Sequence, residues 1–95
     1  MKIYISGAIT GTDDYMERFA KAEKKLAENG YSVVNPAKVN AQLPEDTSYE
    51  EYMKMCFCML DMCEAIFMLK GWSKSCGANS EYWYAMGNCK TIICE

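Results

Sequence analysis

Ala65-Ile66-Phe67-Met68-Leu69 is an unbroken apolar run of strand length, bounded by Glu64 on one side and Lys70-Gly71 on the other. A strand with one wet face alternates in polarity, whereas a run with no polar position asks for apolar cover on both faces. The chain therefore has to put helices above and below a sheet in which this strand lies centrally.

The rest of the sequence supplies those helices. Lys2-Ile3-Tyr4-Ile5-Ser6 is β-branched and aromatic and runs into Gly7-Ala8-Ile9-Thr10-Gly11, which reads as a strand followed by a glycine-bearing loop. Thr12 is a good cap, Asp13 and Asp14 put acid at the positive end of a coming helix, and Tyr15, Phe19, Ala22 and Leu26 recur at helical period as far as Asn29-Gly30. Tyr31 to Val34 is a second strand, halted by Asn35-Pro36, with a loop expected from there to Thr47. Ser48-Tyr49-Glu50-Glu51 has capping-box spacing ahead of an apolar stripe of Tyr52, Cys56, Met59, Leu60 and Cys63. After the central strand come a loop from Gly71 to Gly77, a helix from Ala78 to Met86 and a last strand, Thr91 to Cys94. This alternation predicts a four-stranded parallel sheet in a three-layer α/β domain of Rossmann-like or flavodoxin-like type.

With 95 residues the expectation is a single domain over residues 1–95. A domain so short leaves much surface uncovered, so a homo-oligomer is expected, with the Met-rich helix (Met53, Met55, Phe57, Met59, Met62) as the candidate contact. The net charge of −3 and the scattered basic residues argue against binding nucleic acid. No apolar run approaches the roughly 20 residues that span a bilayer, so no membrane association is expected and the location reads as cytoplasmic. Histidine is absent and no CxxC occurs, which points away from a metal; the six cysteines read as reduced, mostly buried thiols.

In a sheet of this kind ligands bind beyond the carboxyl ends of the strands, which makes Gly7 to Thr12 and Gly71 to Gly77 the natural site walls. Neither a dinucleotide fingerprint nor a P-loop is present. Glu81 falls early in the helix after the second loop, where the helix dipole and free N–H groups favour an ionised carboxylate fit for attack or for holding a sugar hydroxyl. By residue type and position alone, a carboxylate that merely complements the dipole is the favoured reading. Trp72, with Tyr82 and Trp83 nearby, is a candidate face for stacking a nucleobase.

The segments Ile3 to Gly11, Gly30 to Ala37 and Cys63 to Glu81 resemble an uncharacterised, largely phage and bacterial family grouped with the nucleoside 2-deoxyribosyltransferases. The resemblance spans nearly the whole chain. It is sharpest at Ser75-x-Gly77-x-x-x-Glu81, which is similar to the segment holding the nucleophile in deoxyribosyltransferases and nucleotide N-glycosidases. It implies that Glu81 attacks the anomeric carbon, that an ester forms as the base leaves, and that a second base or water resolves it with overall retention. By the same likeness Ser75 contacts the sugar's 5′ end or its phosphate. Tyr4, Gly7 and Gly77 line the pocket, Glu64 stands where an aspartate is more usual, and a neighbouring subunit completes the site. The implied partner is a small-molecule nucleoside or nucleotide, and no cofactor is called for. Three positions depart from the pattern: Ala8 and Thr10 stand where the nucleotide hydrolases have serine and arginine, and Cys56 stands where an acid is common. Those departures favour an alternative, a catalytically weak or inactive protein that binds a nucleotide or an ADP-ribose-type ligand.

Overall fold

A computed structural model describes residues 1–95, with β1 Lys2–Ser6, α1 Tyr15–Glu28, β2 Ser32–Val34, α2 Pro36–Asn40, α3 Tyr49–Asp61, β3 Ala65–Met68, α4 Cys76–Gly87 and β4 Thr91–Cys94. All four strands are parallel, in the order β2-β1-β3-β4. The chain steps from β1 outward to β2 and then crosses back to β3 on the other side, so the order reverses between β1 and β3. A reversal of this kind opens a crevice at the carboxyl ends of those two strands.

The two faces of the sheet follow from strand parity. Ile3 and Ile5 of β1, with Ala65, Phe67 and Leu69 on and just beyond β3, pack against Phe19, Ala22 and Leu26 of α1. Tyr4, Ile66 and Met68 face the opposite way, onto Cys56, Met59 and Leu60 of α3 and Ala78 and Ala85 of α4. Every residue of β3 is buried, as a strand covered on both sides requires. Each large apolar side chain sealed in this way contributes about 1.5–3 kcal/mol relative to exposure. The Rossmann-like or flavodoxin-like three-layer α/β arrangement expected from the sequence is the one observed.

Local signals explain most element boundaries. Ser48 Oγ accepts from Glu51 N (3.1 Å) and Glu51 Oε1 accepts from Ser48 N (2.8 Å), a reciprocal capping box at the start of α3. The stretch after β2, expected as loop, instead begins with α2. Asn35 Oδ1 accepts from Ala37 N and Lys38 N, and Pro36 occupies the first helical position, so the pair that stops the strand also starts a helix. Thr12 does not cap α1: its hydroxyl donates to Ile9 O at 3.0 Å, and the cap position falls to Asp14, whose side chain makes no capping bond. The loop between them is clamped by Arg18, which donates to Ala8 O at 2.9 Å and pairs with Asp14 at 3.2 Å. The last helix starts two residues earlier than the sequence indicated, at Cys76, after a short 3-10 turn over Trp72–Lys74.

Two further expectations change. Only Cys56 and Cys63 of the six free cysteines are buried, because Cys58, Cys76, Cys89 and Cys94 fall on outward positions. On the Met-rich helix, Met59 is in the core, Phe57 packs on Tyr84 with ring centroids 4.8 Å apart, and Met53 turns toward α4, leaving Met55 and Met62 as its exposed methionines. No helix is long and apolar enough to cross a membrane.

Candidate active site

The buried stripe of α4 is Ala78, Glu81 and Ala85. The two alanines carry almost no side chain, so the helix lies close on the sheet and brings the intervening glutamate against β1. Tyr4 and Ser6, two residues apart on β1, point to the same face, and both donate to that carboxylate: Tyr4 Oη to Oε2 at 2.5 Å and Ser6 Oγ to Oε1 at 2.6 Å. All three side chains are buried, and neither salt bridge of the chain involves Glu81. The carboxylate is thus held by two neutral hydroxyls, with no cation to neutralise it.

This environment sets the titration of the group. Burial pushes the Glu81 carboxyl above its ordinary value of 4.5, against the hydrogen bonds from Ser6 and Tyr4, which favour the ionised form. Tyr4 is raised well above the ordinary phenol value, first by burial and next by the Glu81 charge, so its hydroxyl keeps its proton and remains a donor. The Cys56 thiol is raised for the same two reasons in the same order. The dipole argument drawn from the sequence does not apply. Counting from Cys76, Glu81 is beyond the first turn of α4, where the dipole and the free N–H groups act.

A cavity of about 850 Å³ opens over this carboxylate, lined among others by Tyr4, Ser6, Gly7, Thr10, Ser75, Gly77 and Glu81. It lies at the carboxyl end of β1, next to the point where the strand order reverses, and the segment from Lys74 into α4 closes its other side. Ser75 caps α4, its Oγ accepting from Ala78 N at 3.2 Å, which leaves the hydroxyl proton available to a ligand. Gly77 lets the start of α3 approach: a Cβ there would lie 3.3 Å from Tyr49 Oη. Gly7 is bare for a reason other than the close ligand approach its position implied. A Cβ there would lie 2.9 Å from Leu69 Cβ, so the packing of the two strand ends forbids a side chain.

Two expected site residues lie elsewhere. Glu64 precedes β3 at the amino end of the sheet, away from the cavity, and accepts from Lys2 N at 3.2 Å. Trp72 is outside the lining, with one face covered by Tyr82 at a centroid distance of 4.6 Å. Conversely, Ser6, Asn40, Tyr49, Tyr52 and Lys74 line the cavity although the sequence reading assigned them no site role. The available signal for Ser6 was its two-residue offset from Tyr4. No three or more Cys, Asp or Glu side chains gather in a way that could hold a metal ion.

The profile of a family described as "Domain of unknown function (DUF4406)" matches residues 1–94. The chain belongs to the DUF4406 family. No curated protein matches this DUF4406 chain in sequence. Among solved structures it is similar to a 2-deoxyribosyltransferase from the psychrotolerant bacterium Bacillus psychrosaccharolyticus, with a TM-score of 0.79 at 18% identity over 99% of this chain and 71% of that one. The DUF4406 chain therefore shares the fold of that transferase across its whole length.

Proposed function

We propose that this protein acts on the N-glycosidic bond of a nucleoside or nucleotide, with Glu81 as the nucleophile. The observation that carries the reading is a carboxylate at the wall of a cavity with room for a nucleoside, with each oxygen fixed by a hydroxyl and no cation to quench it. A Glu81 oxygen attacks the anomeric carbon; the bond from that carbon to the base nitrogen breaks, its electron pair leaves with the base, and the base takes a proton from solvent. The ester that remains is opened by water or by a second base at the same carbon, which restores the carboxylate and retains the configuration. Similarity in fold to a 2-deoxyribosyltransferase supports the nucleoside class.

The direct test incubates the protein with a panel of nucleosides and nucleotides and follows free base by chromatography. Release of no base from any member, with the protein folded, would end the catalytic reading. A second reading, a binding protein without turnover, is favoured by one observation: beside Glu81 stands the Cys56 thiol, with a pKa raised rather than lowered, in place of an acid. Saturable binding with no product would select it.

Tyr4→Phe separates the hydroxyl's effect on the nucleophile from its packing. Without that donor the Glu81 carboxyl rises further, so the acid limb of the pH–rate profile is expected to move to higher pH. Turnover near neutrality should fall roughly 10- to 100-fold, the loss expected for one hydrogen bond to a charged group. An unmoved acid limb would show that Tyr4 does not govern the ionisation of Glu81.

A further inference from the structure

One buried side-chain oxygen or nitrogen lacks any hydrogen-bond partner, and it belongs to a residue of the cavity wall: Oδ1 of Asn40, at the end of α2. The other end of the same amide is tethered, Nδ2 donating to Cys56 Sγ at 3.4 Å. Cys56 and Glu81 belong to the same cavity wall. In the bond from Nδ2 the sulfur accepts from Asn40, which orients the amide with its oxygen unmatched. A buried carbonyl in that state bears the full desolvation of the group, and a donor brought by a ligand would relieve it. Asn40 lines the cavity and the terminal torsion of asparagine is soft, so the oxygen can turn to meet a donor bound there.

The wall around it narrows the choice of donor. Ala41 and Leu43, from the segment after α2, and Tyr49 and Tyr52 of α3 are apolar or aromatic and suit a flat ring. On the nucleoside reading, Glu81 marks the anomeric carbon and Ser75 the far side of the sugar, so the group leaving that carbon toward α2 is the base. We propose that Asn40 is the specificity-determining residue of the site, its amide oxygen receiving the exocyclic amino group of an amino-bearing nucleobase. An oxo group at the same ring position would set two acceptors face to face.

The assignment rests on the nucleoside reading, and calorimetric titration tests the two separately. The ligands are adenosine, inosine, unsubstituted purine riboside, 2′-deoxyadenosine, cytidine and uridine, each added to the parent protein, Asn40→Leu and Asn40→Asp. The parent is expected to bind at least one amino nucleoside roughly tenfold or more tighter than its oxo counterpart. Asn40→Leu should bind the two alike and melt no lower than the parent without ligand, since it removes an unmatched carbonyl at similar volume. Asn40→Asp keeps an acceptor and should keep the preference. Equal affinities in the parent, a preference for the oxo base, dependence on the 2′-hydroxyl instead, or an equal loss for all nucleosides in Asn40→Leu would each overturn the role of Asn40 while leaving nucleoside binding intact. If no nucleoside binds at all, the nucleoside reading falls and this assignment falls with it.

Discussion

Glu81→Gln is expected to abolish the base release proposed for this protein and to make it more stable at neutral pH. The loss of activity should be roughly a thousandfold or more, since an amide of the same shape cannot serve as the attacking carboxylate. The gain in stability follows from the burial that raises the Glu81 carboxyl. A folded-state pKa above the unfolded one means that the native chain binds this proton more tightly than the unfolded chain does. The stabilisation is complete below the unfolded value of 4.5 and is lost as pH climbs through the raised folded value. Near pH 7 the buried, ionised carboxylate is therefore a burden on the fold that glutamine lifts, and Tyr4 and Ser6 can turn their hydroxyls to suit the amide. Melting followed by circular dichroism should show the variant above the parent near neutrality, by roughly 4–8 °C for each kcal/mol gained. The gap should close as the pH is lowered to about 4. A variant that melts lower than the parent at neutral pH would show that Glu81 holds the structure together and is not a strained functional group.

The second large effect is expected at Gly7. An added Cβ would meet Leu69 Cδ1 at 2.8 Å and Leu69 Cβ at 2.9 Å. The first atom could swing aside, but the second is fixed to the backbone. Leu69 is also paired through its own N–H to Ser6 O at 2.8 Å, so pushing it away disturbs the residue that holds Glu81. Gly7→Ala should cost about 1–3 kcal/mol, the usual range for overpacking a tight core. It should also lower whatever turnover the parent shows. Gly87→Ala is the matched control: nothing lies within 4 Å of its Cβ, and the change should be neutral or slightly stabilising. Equal melting temperatures for Gly7→Ala and the parent would mean that the two strand ends have room to spare.

The architecture was readable because its signals are local and periodic. The apolar run Ala65 to Leu69 demanded cover on both faces, and α1 announced itself through Tyr15, Phe19, Ala22 and Leu26. What failed were the places where one residue type serves two ends. Asn35-Pro36 stops β2 and starts α2, and only the first half of that meaning was drawn from the sequence. Thr12, a plausible cap by type, was claimed by the turn at Ile9. At the site, Glu81 was singled out, but the forces on it were not. The hydroxyls that hold it come from a strand 75 and 77 residues away in sequence, a separation that no local pattern spans. Glu64 and Trp72 sit next to site-forming segments in sequence, yet the first lies at the wrong end of its strand and the second folds back on Tyr82. Asn40 gave no signal, because an orphaned amide becomes visible only once its neighbours are in place.

The two hydroxyls on Glu81 come from β1, where adjacent residues face opposite layers. The register of that strand is therefore effectively counted in pairs. Sliding β1 by one residue against β3 would turn isoleucine toward the carboxylate and press a phenol into the aliphatic layer beneath α1. A slip of two would restore the sidedness, so β1 can move along β3 and keep the same face toward Glu81 only in even steps.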